Sequence, residues 1–367
     1  MKCLPSNKLA LAQGNILHDW HAEILAIRAF NRYLLDQCLL ISTPPYPTSD
    51  IVRHRSRAEH SELEQHPFTI RDDVFIHMYC SEAPCGDASM ELVMDAQEDA
   101  TPWTSAPPTV AAASASPTTN PPDTTGPAVE DAALRGRSNF SLLGAVRCKP
   151  SRPDAPPTLS KSCTDKLALN QATSLLSSTT SLLISPRNAY IDTLVLPSSQ
   201  LVPQACDRAF ARSGRLKALT DDAVRSWKGG YRFHPFRVRP TSMEFAWSRR
   251  RIGPGEKAVP SNLSAVWTPV CQETLIGGVL QGRKQLDPRG ASQTCRRSMW
   301  SVALQVVGAV GVPLLVEVLR QKGYKEMKED EVLASRRQVK ADTKSVLKGW
   351  VRNTGDDDFS LGDLPKS

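Results

Sequence analysis

A histidine and a glutamate two residues apart, His21-Ala22-Glu23, open the stretch most able to do chemistry. Near a helix start, residues at i and i+2 can face one cavity. The imidazole can then ligate a metal while the carboxylate stays free to move protons. Alone, such a triplet is common on surfaces and in cores. A second motif is Pro84-Cys85-Gly86-Asp87. Proline fixes the approach, glycine permits a tight turn, and a thiol at a helix N-terminus is favoured as the thiolate that binds metal. A lone cysteine is otherwise a small buried hydrophobe.

These residues need elements to hold them. Ile24, Ile27, Phe30 and Leu34 recur at helical spacing, so residues 19–38 read as a helix with Asp19 as N-cap. Residues 72–80 alternate and read as a strand leading to Cys85 at a strand-to-helix turn. Helices are expected over 159–185, 201–220, 291–308 and 324–350, and a strand over 190–197. SAVWTP and ETLIGGVLQGRK read as a hairpin around Gly277-Gly278. Residues 101–133 are rich in Pro, Thr, Ala and Ser and read as a disordered insertion. The acidic tail is expected to wrap the surface.

The chain has 367 residues and a net charge of +7, a balance suited to an anionic partner such as nucleic acid. Nine cysteines are an odd number and lack the spacing of a compact disulfide framework, which points to a reducing compartment. The N-terminus lacks the apolar core of a signal peptide. The most apolar run, Val306 to Val316, is shorter than the ~20 residues of a membrane span and reads as a buried helix.

HAE on a helix, then a strand, then PC before a second helix, follows the skeleton of the zinc nucleobase deaminases. That signature closes with a second cysteine three residues on, where this chain has Ala88, so the third ligand must come from farther away. HDWHAEILAIRAFNRYLL, SEAPCGD and SKSCTDKLAL resemble, in order, the three core motifs of the adenosine deaminase domain. That domain is shared by the double-stranded-RNA editing deaminases and the eukaryotic tRNA adenosine deaminases. Two stretches, RGRSNFSLLGAVRCKPSRPDAPPTLS and SPRNAYIDTLVLPSSQLVPQACDRAF, look like the tRNA-specific branch, particularly its fungal members.

The resemblance implies His21, Cys85 and Cys163 as Zn²⁺ ligands and Glu23 as the proton-transfer residue. It implies hydrolytic conversion of adenosine to inosine, at adenosine 37 beside the anticodon of alanine tRNA, in nucleus or cytoplasm. No membrane or DNA partner is expected, and oligomeric state is left open. The implied fold is an α/β, cytidine-deaminase-like three-layer sandwich with a mixed central sheet and a C-terminal helical extension. Residues 1–361 would form one deaminase domain containing the 101–133 insertion, with 362–367 as a tail. The family also buries inositol hexakisphosphate among cationic and aromatic side chains. Arg28, Lys166, Arg296, Tyr324, Lys328 and Trp350 match that pattern, and Lys340 and Lys344 match it more loosely.

Several departures bear on activity. The resemblance begins late in the family pattern, as expected of an N-terminally truncated chain. Asn170 stands where the family has a tryptophan, Ser151 replaces a glycine, and the insertion lies close to a substrate-facing loop. An alternative is therefore an inactive relative that only binds tRNA. A closed structural zinc site is a further alternative, but Glu23 beside a ligand has no use there. Lys149, Arg152 and the Arg249–Arg251 cluster are expected phosphate contacts.

Overall fold

The computed structural model describes residues 2–96, 109–110, 133–137, 139–150, 155–253, 255–256, 259 and 261–362. Three parallel strands form the sheet behind the site. Ile191–Pro197 lies in the middle, flanked by Ile76–Tyr79 and Arg237–Thr241. Ile191, Leu194 and Leu196 of the central strand are buried, as parallel strands covered by helices require. The antiparallel strands lie in separate ladders. Val52–His54 pairs with Phe68–Ile70, and Ser264–Thr268, Cys271–Ile276 and Val279–Leu280 form a meander. Gly277 and Gly278 both take positive φ at its tight turn, as the sequence pair predicts. The chain is thus α/β, as expected.

The first long helix, Ala22–Ser42, buries Leu25, Leu34, Leu35 and Cys38. It packs against the helix Arg296–Val310 and the strand Ser264–Thr268. The helix Cys163–Thr173 packs against Pro203–Phe210 and Ala334–Val346. Among the described residues, no helix is long and apolar enough to cross a membrane.

Several expected elements break where the backbone demands it. The apolar run 306–316 is two helices, because Gly311 caps the first in the left-handed region and Pro313 starts the second, Pro313–Leu319. The expected 201–220 helix stops at Phe210, and the Arg215 amide turns back to the Arg208 carbonyl at 2.9 Å. The 324–350 region divides at Asp330, which is extended and whose side chain accepts from the Val332 amide. The 159–185 region divides at Ser174, and its first helix starts only after Ser162.

Asp19 is not the cap of the first helix. His21 holds that position, and Asp19 is engaged elsewhere. The acidic tail does not wrap the surface. Asp356 is buried and accepts from the Gly14 amide, and Phe359 stacks on Tyr324. The insertion lies almost wholly outside the described residues. Its exceptions, Thr109, Val110 and Ala133, lie in short strands, where Val110 pairs with Ala133 and Thr109 with Leu134.

Candidate metal centre and cationic cavity

His21 ends the entry to the first long helix, and its amide donates to Asp19 Oδ1 at 3.1 Å. Cys85 lies in the loop after the strand Ile76–Tyr79, just before a short helical turn, Asp87–Ser89. Cys163 is the first residue of its helix, capped by Ser162, which accepts from the Asp165 amide. The two cysteine segments are locked together. Thr164 donates its amide to the Cys85 carbonyl at 3.0 Å and its hydroxyl to the Pro84 carbonyl at 2.9 Å. Gly86 makes this approach possible. Its φ is 111°, and a Cβ there would sit 2.2 Å from Ser162 Oγ.

His21 Nδ1 lies 3.9 Å from Cys85 Sγ and 3.7 Å from Cys163 Sγ. All three ligand atoms fall within 4.8 Å of one another. A tetrahedral zinc with its usual bond lengths separates N and S ligands by roughly 3.6 Å, so the donor set fits that ion in spacing and chemistry. A second group, Cys3, Asp19 and His21, also converges. It is the poorer site: burial pushes the Cys3 thiol far up, and Asp19 is already bound to two lysines.

Comparison with known proteins bears on this geometry. The family described as the adenosine-deaminase (editase) domain matches residues 1–354. This chain belongs to that family. Among its relatives, the tRNA-specific adenosine deaminase 1 of Schizosaccharomyces pombe is 35% identical over 363 residues, 97% of this chain and 82% of that protein. The protein of the same name from Saccharomyces cerevisiae is 32% identical over 48% of this chain and 39% of its own length. The mouse double-stranded RNA-specific editase B2 is 32% identical over 24% of this chain and 11% of its length.

In this editase domain the cysteine pair is electrostatically split. Cys85 is held well below the usual thiol range, first by the hydrogen bond with Cys163 and then by Lys149 and His21. Burial, reinforced by Cys85, pushes Cys163 well above it. A metal cation bound by both sulfurs would favour the thiolate at each. Burial and then Cys85 also raise Glu23 above the ordinary carboxyl range, toward the pH at which a proton shuttle works best.

Lys149 is buried and donates to Cys163 Sγ at 3.2 Å and to Asp19 Oδ2 at 2.7 Å. It therefore cannot be the expected phosphate contact. Burial would discharge it, but Asp19, Cys85 and Cys163 hold its proton on. Asp19 also accepts from Lys166 and from Ser160 Oγ. Arg250 is likewise occupied, by Glu82 at 2.7 Å and Glu244 at 2.8 Å. Arg152 and Ser151, two further positions singled out in the sequence, lie outside the described residues.

Lys166 leads from this centre into a cavity of about 670 Å³ lined by ten lysines and arginines and only two carboxylates. Of the expected polyphosphate residues, Lys166, Arg296, Lys328 and Trp350 line it, as do Lys340 and Lys344. Arg28 instead lines a neighbouring pocket of about 200 Å³ with Lys166 and Asn170, and donates Nε to the Thr294 carbonyl. Tyr324 is taken up by the Phe359 stack, with Lys328 over its ring. Sequence reasoning missed Lys161, Lys325, Arg336, Arg337 and Arg352, which line the same cavity. The basic, periodic helix Ala334–Val346 carries two of these, and its one-sided charge was the available signal.

The cavity's cations crowd one another. Burial, then Lys344 and Arg336, bring Lys340 well below the usual lysine range, and burial, then Lys161, brings Lys344 down to about 8.

Proposed function

We propose that this protein hydrolytically deaminates adenosine to inosine in a tRNA, from one deaminase domain spanning residues 1–361. His21, Cys85 and Cys163 would hold the zinc. The observation that carries the reading is the convergence of one imidazole and two thiols within 4.8 Å beside Glu23. A bound zinc supplies a Lewis acid that brings the pKa of water down to about 7. Glu23 would take one proton of the water that attacks C6 of adenine and deliver it to N1, then carry the second proton from the new C6 hydroxyl to the amine, which departs as ammonia. Lys149 holds Cys163 in place and balances the thiolates' negative charge. The target base must leave its stack to reach this buried centre, and an anticodon loop meets that requirement at low cost.

The tRNA substrate follows from the tRNA-specific name of the relative aligned along most of this chain. Adenosine 37 of alanine tRNA is the finer reading, resting on the motifs that resemble the tRNA-specific branch. The test is incubation of the purified chain with alanine tRNA, followed by sequencing for inosine. Activity surviving Glu23→Ala would reject the mechanism.

The large cavity fits inositol hexakisphosphate, because ten cations facing two carboxylates repel one another unless a polyanion lies between them. Calorimetric titration with that compound tests this, with Lys340→Glu expected to abolish binding.

A further inference from the structure

The loops that follow the three parallel strands meet at one edge of the sheet. Arg250 donates to the Ser81 carbonyl at 2.7 Å, four residues before Cys85, and pairs with Glu82. Ser199 Oγ donates to Glu244 at 2.7 Å, Gln200 accepts from the Ala83 amide at 3.2 Å, and Tyr79 donates to the Met243 carbonyl at 3.2 Å. The segment 242–251 is thereby tied to the loop that carries Cys85, at the carboxyl ends of the strands where open α/β sheets bind ligands.

That segment spends its apolar side chains on solvent. Trp247 is 86% exposed, Met243 69% and Phe245 47%. Arg251 within it, and Arg237 and Arg239 on the strand that leads into it, are exposed and make no salt bridge among the described residues. Aromatic faces interleaved with uncommitted arginines fit unpaired nucleotides, whose bases stack and whose phosphates need cations. Arg250 is spent on Glu82 and Glu244, so it braces the segment instead of meeting RNA.

We propose that residues 242–251 form a stacking platform for the unpaired bases beside the target adenosine, with Trp247 as the main stacking face. Arg237, Arg239 and Arg251 take the adjoining phosphates. The proposal rests on the reading of an RNA substrate given above.

The test compares wild type, Trp247→Ala and Trp247→Phe. The measurements are Kd for alanine tRNA and its isolated anticodon stem-loop, steady-state inosine formation, thermal melting, and sedimentation. Trp247→Ala should weaken RNA binding and raise KM by about 10-fold. Its kcat and melting temperature should stay as in wild type, and Trp247→Phe should recover most of the binding. Kd values within twofold of wild type for Trp247→Ala would overturn the platform. So would a change of oligomeric state without a change in Kd, which would make the patch a self-association surface. A wild-type protein that binds tRNA through Trp247 but forms no inosine would sink the deaminase reading and leave the platform standing.

Discussion

Two buried polar clusters meet at Lys166, and they differ in what they lack. The His21, Cys85 and Cys163 cluster has its charges matched by its own chain: Lys149 faces the sulfurs, and Asp19 balances Lys149 and Lys166. One metal ion would complete it. The cavity on the other side of Lys166 collects ten cations around two carboxylates, and some of its lysines lose affinity for their protons. A matched cluster needs no ligand to balance its own charges, whereas a like-charged one destabilises the fold until a ligand arrives. In the reading proposed above, the first is the reaction centre and the second a site for a polyanion that would belong to the folded structure.

The largest effect should come from the metal side. Cys85→Ala or Cys163→Ala is expected to remove the roughly one zinc per chain, measured by elemental analysis, and to abolish inosine formation. Glu23→Gln should keep the zinc and the fold while lowering kcat by about 10²–10⁴. Zinc loss in that variant would make Glu23 part of the metal site instead of the proton path.

On the cavity side the comparison predicts opposite signs with and without ligand. Lys340→Met should raise the melting temperature of polyanion-free protein by about 2 °C. It should also reduce the stabilisation gained on adding inositol hexakisphosphate. A fall in melting temperature under both conditions would show that Lys340 is an ordinary structural cation and would break the contrast.

The smallest effect is a pH dependence. Lys344 has a folded value of about 8 against 10.5 in the unfolded chain. Between those values the unfolded state binds more protons, so stability rises with pH across that window. The contribution is fully present above 10.5 and is lost as pH falls through about 8. Inositol hexakisphosphate should abolish the dependence by restoring the lysine's charge, and Lys344→Met should flatten it. Melting curves taken across this range, with and without the polyanion, check both.

The same contrast explains what could be read in advance. The metal centre was legible because each ligand sits in a short motif with local logic. HAE opens a helix, Gly86 permits a close approach, and Ser162 caps the helix that begins with Cys163. The cavity was half legible. Lys166, Arg296, Lys328 and Trp350 line it, but Tyr324 and Arg28 are used elsewhere, and Lys161 gave no local sign. The acidic tail misled because Asp356 and Phe359 find partners far back in the chain, at Gly14, His18 and Tyr324.

Residue types and spacing supplied an imidazole, one thiol and a free carboxylate, and the resemblance of its motif to a known family added the second thiol, Cys163. Tertiary structure alone decided which lysines are buried against Asp19 and which crowd the cavity. A side chain's charge is written in the sequence, but its partners and its solvent are set by segments hundreds of residues apart. Electrostatic energy depends on those distances and on burial, so it is decided only when the chain closes on itself.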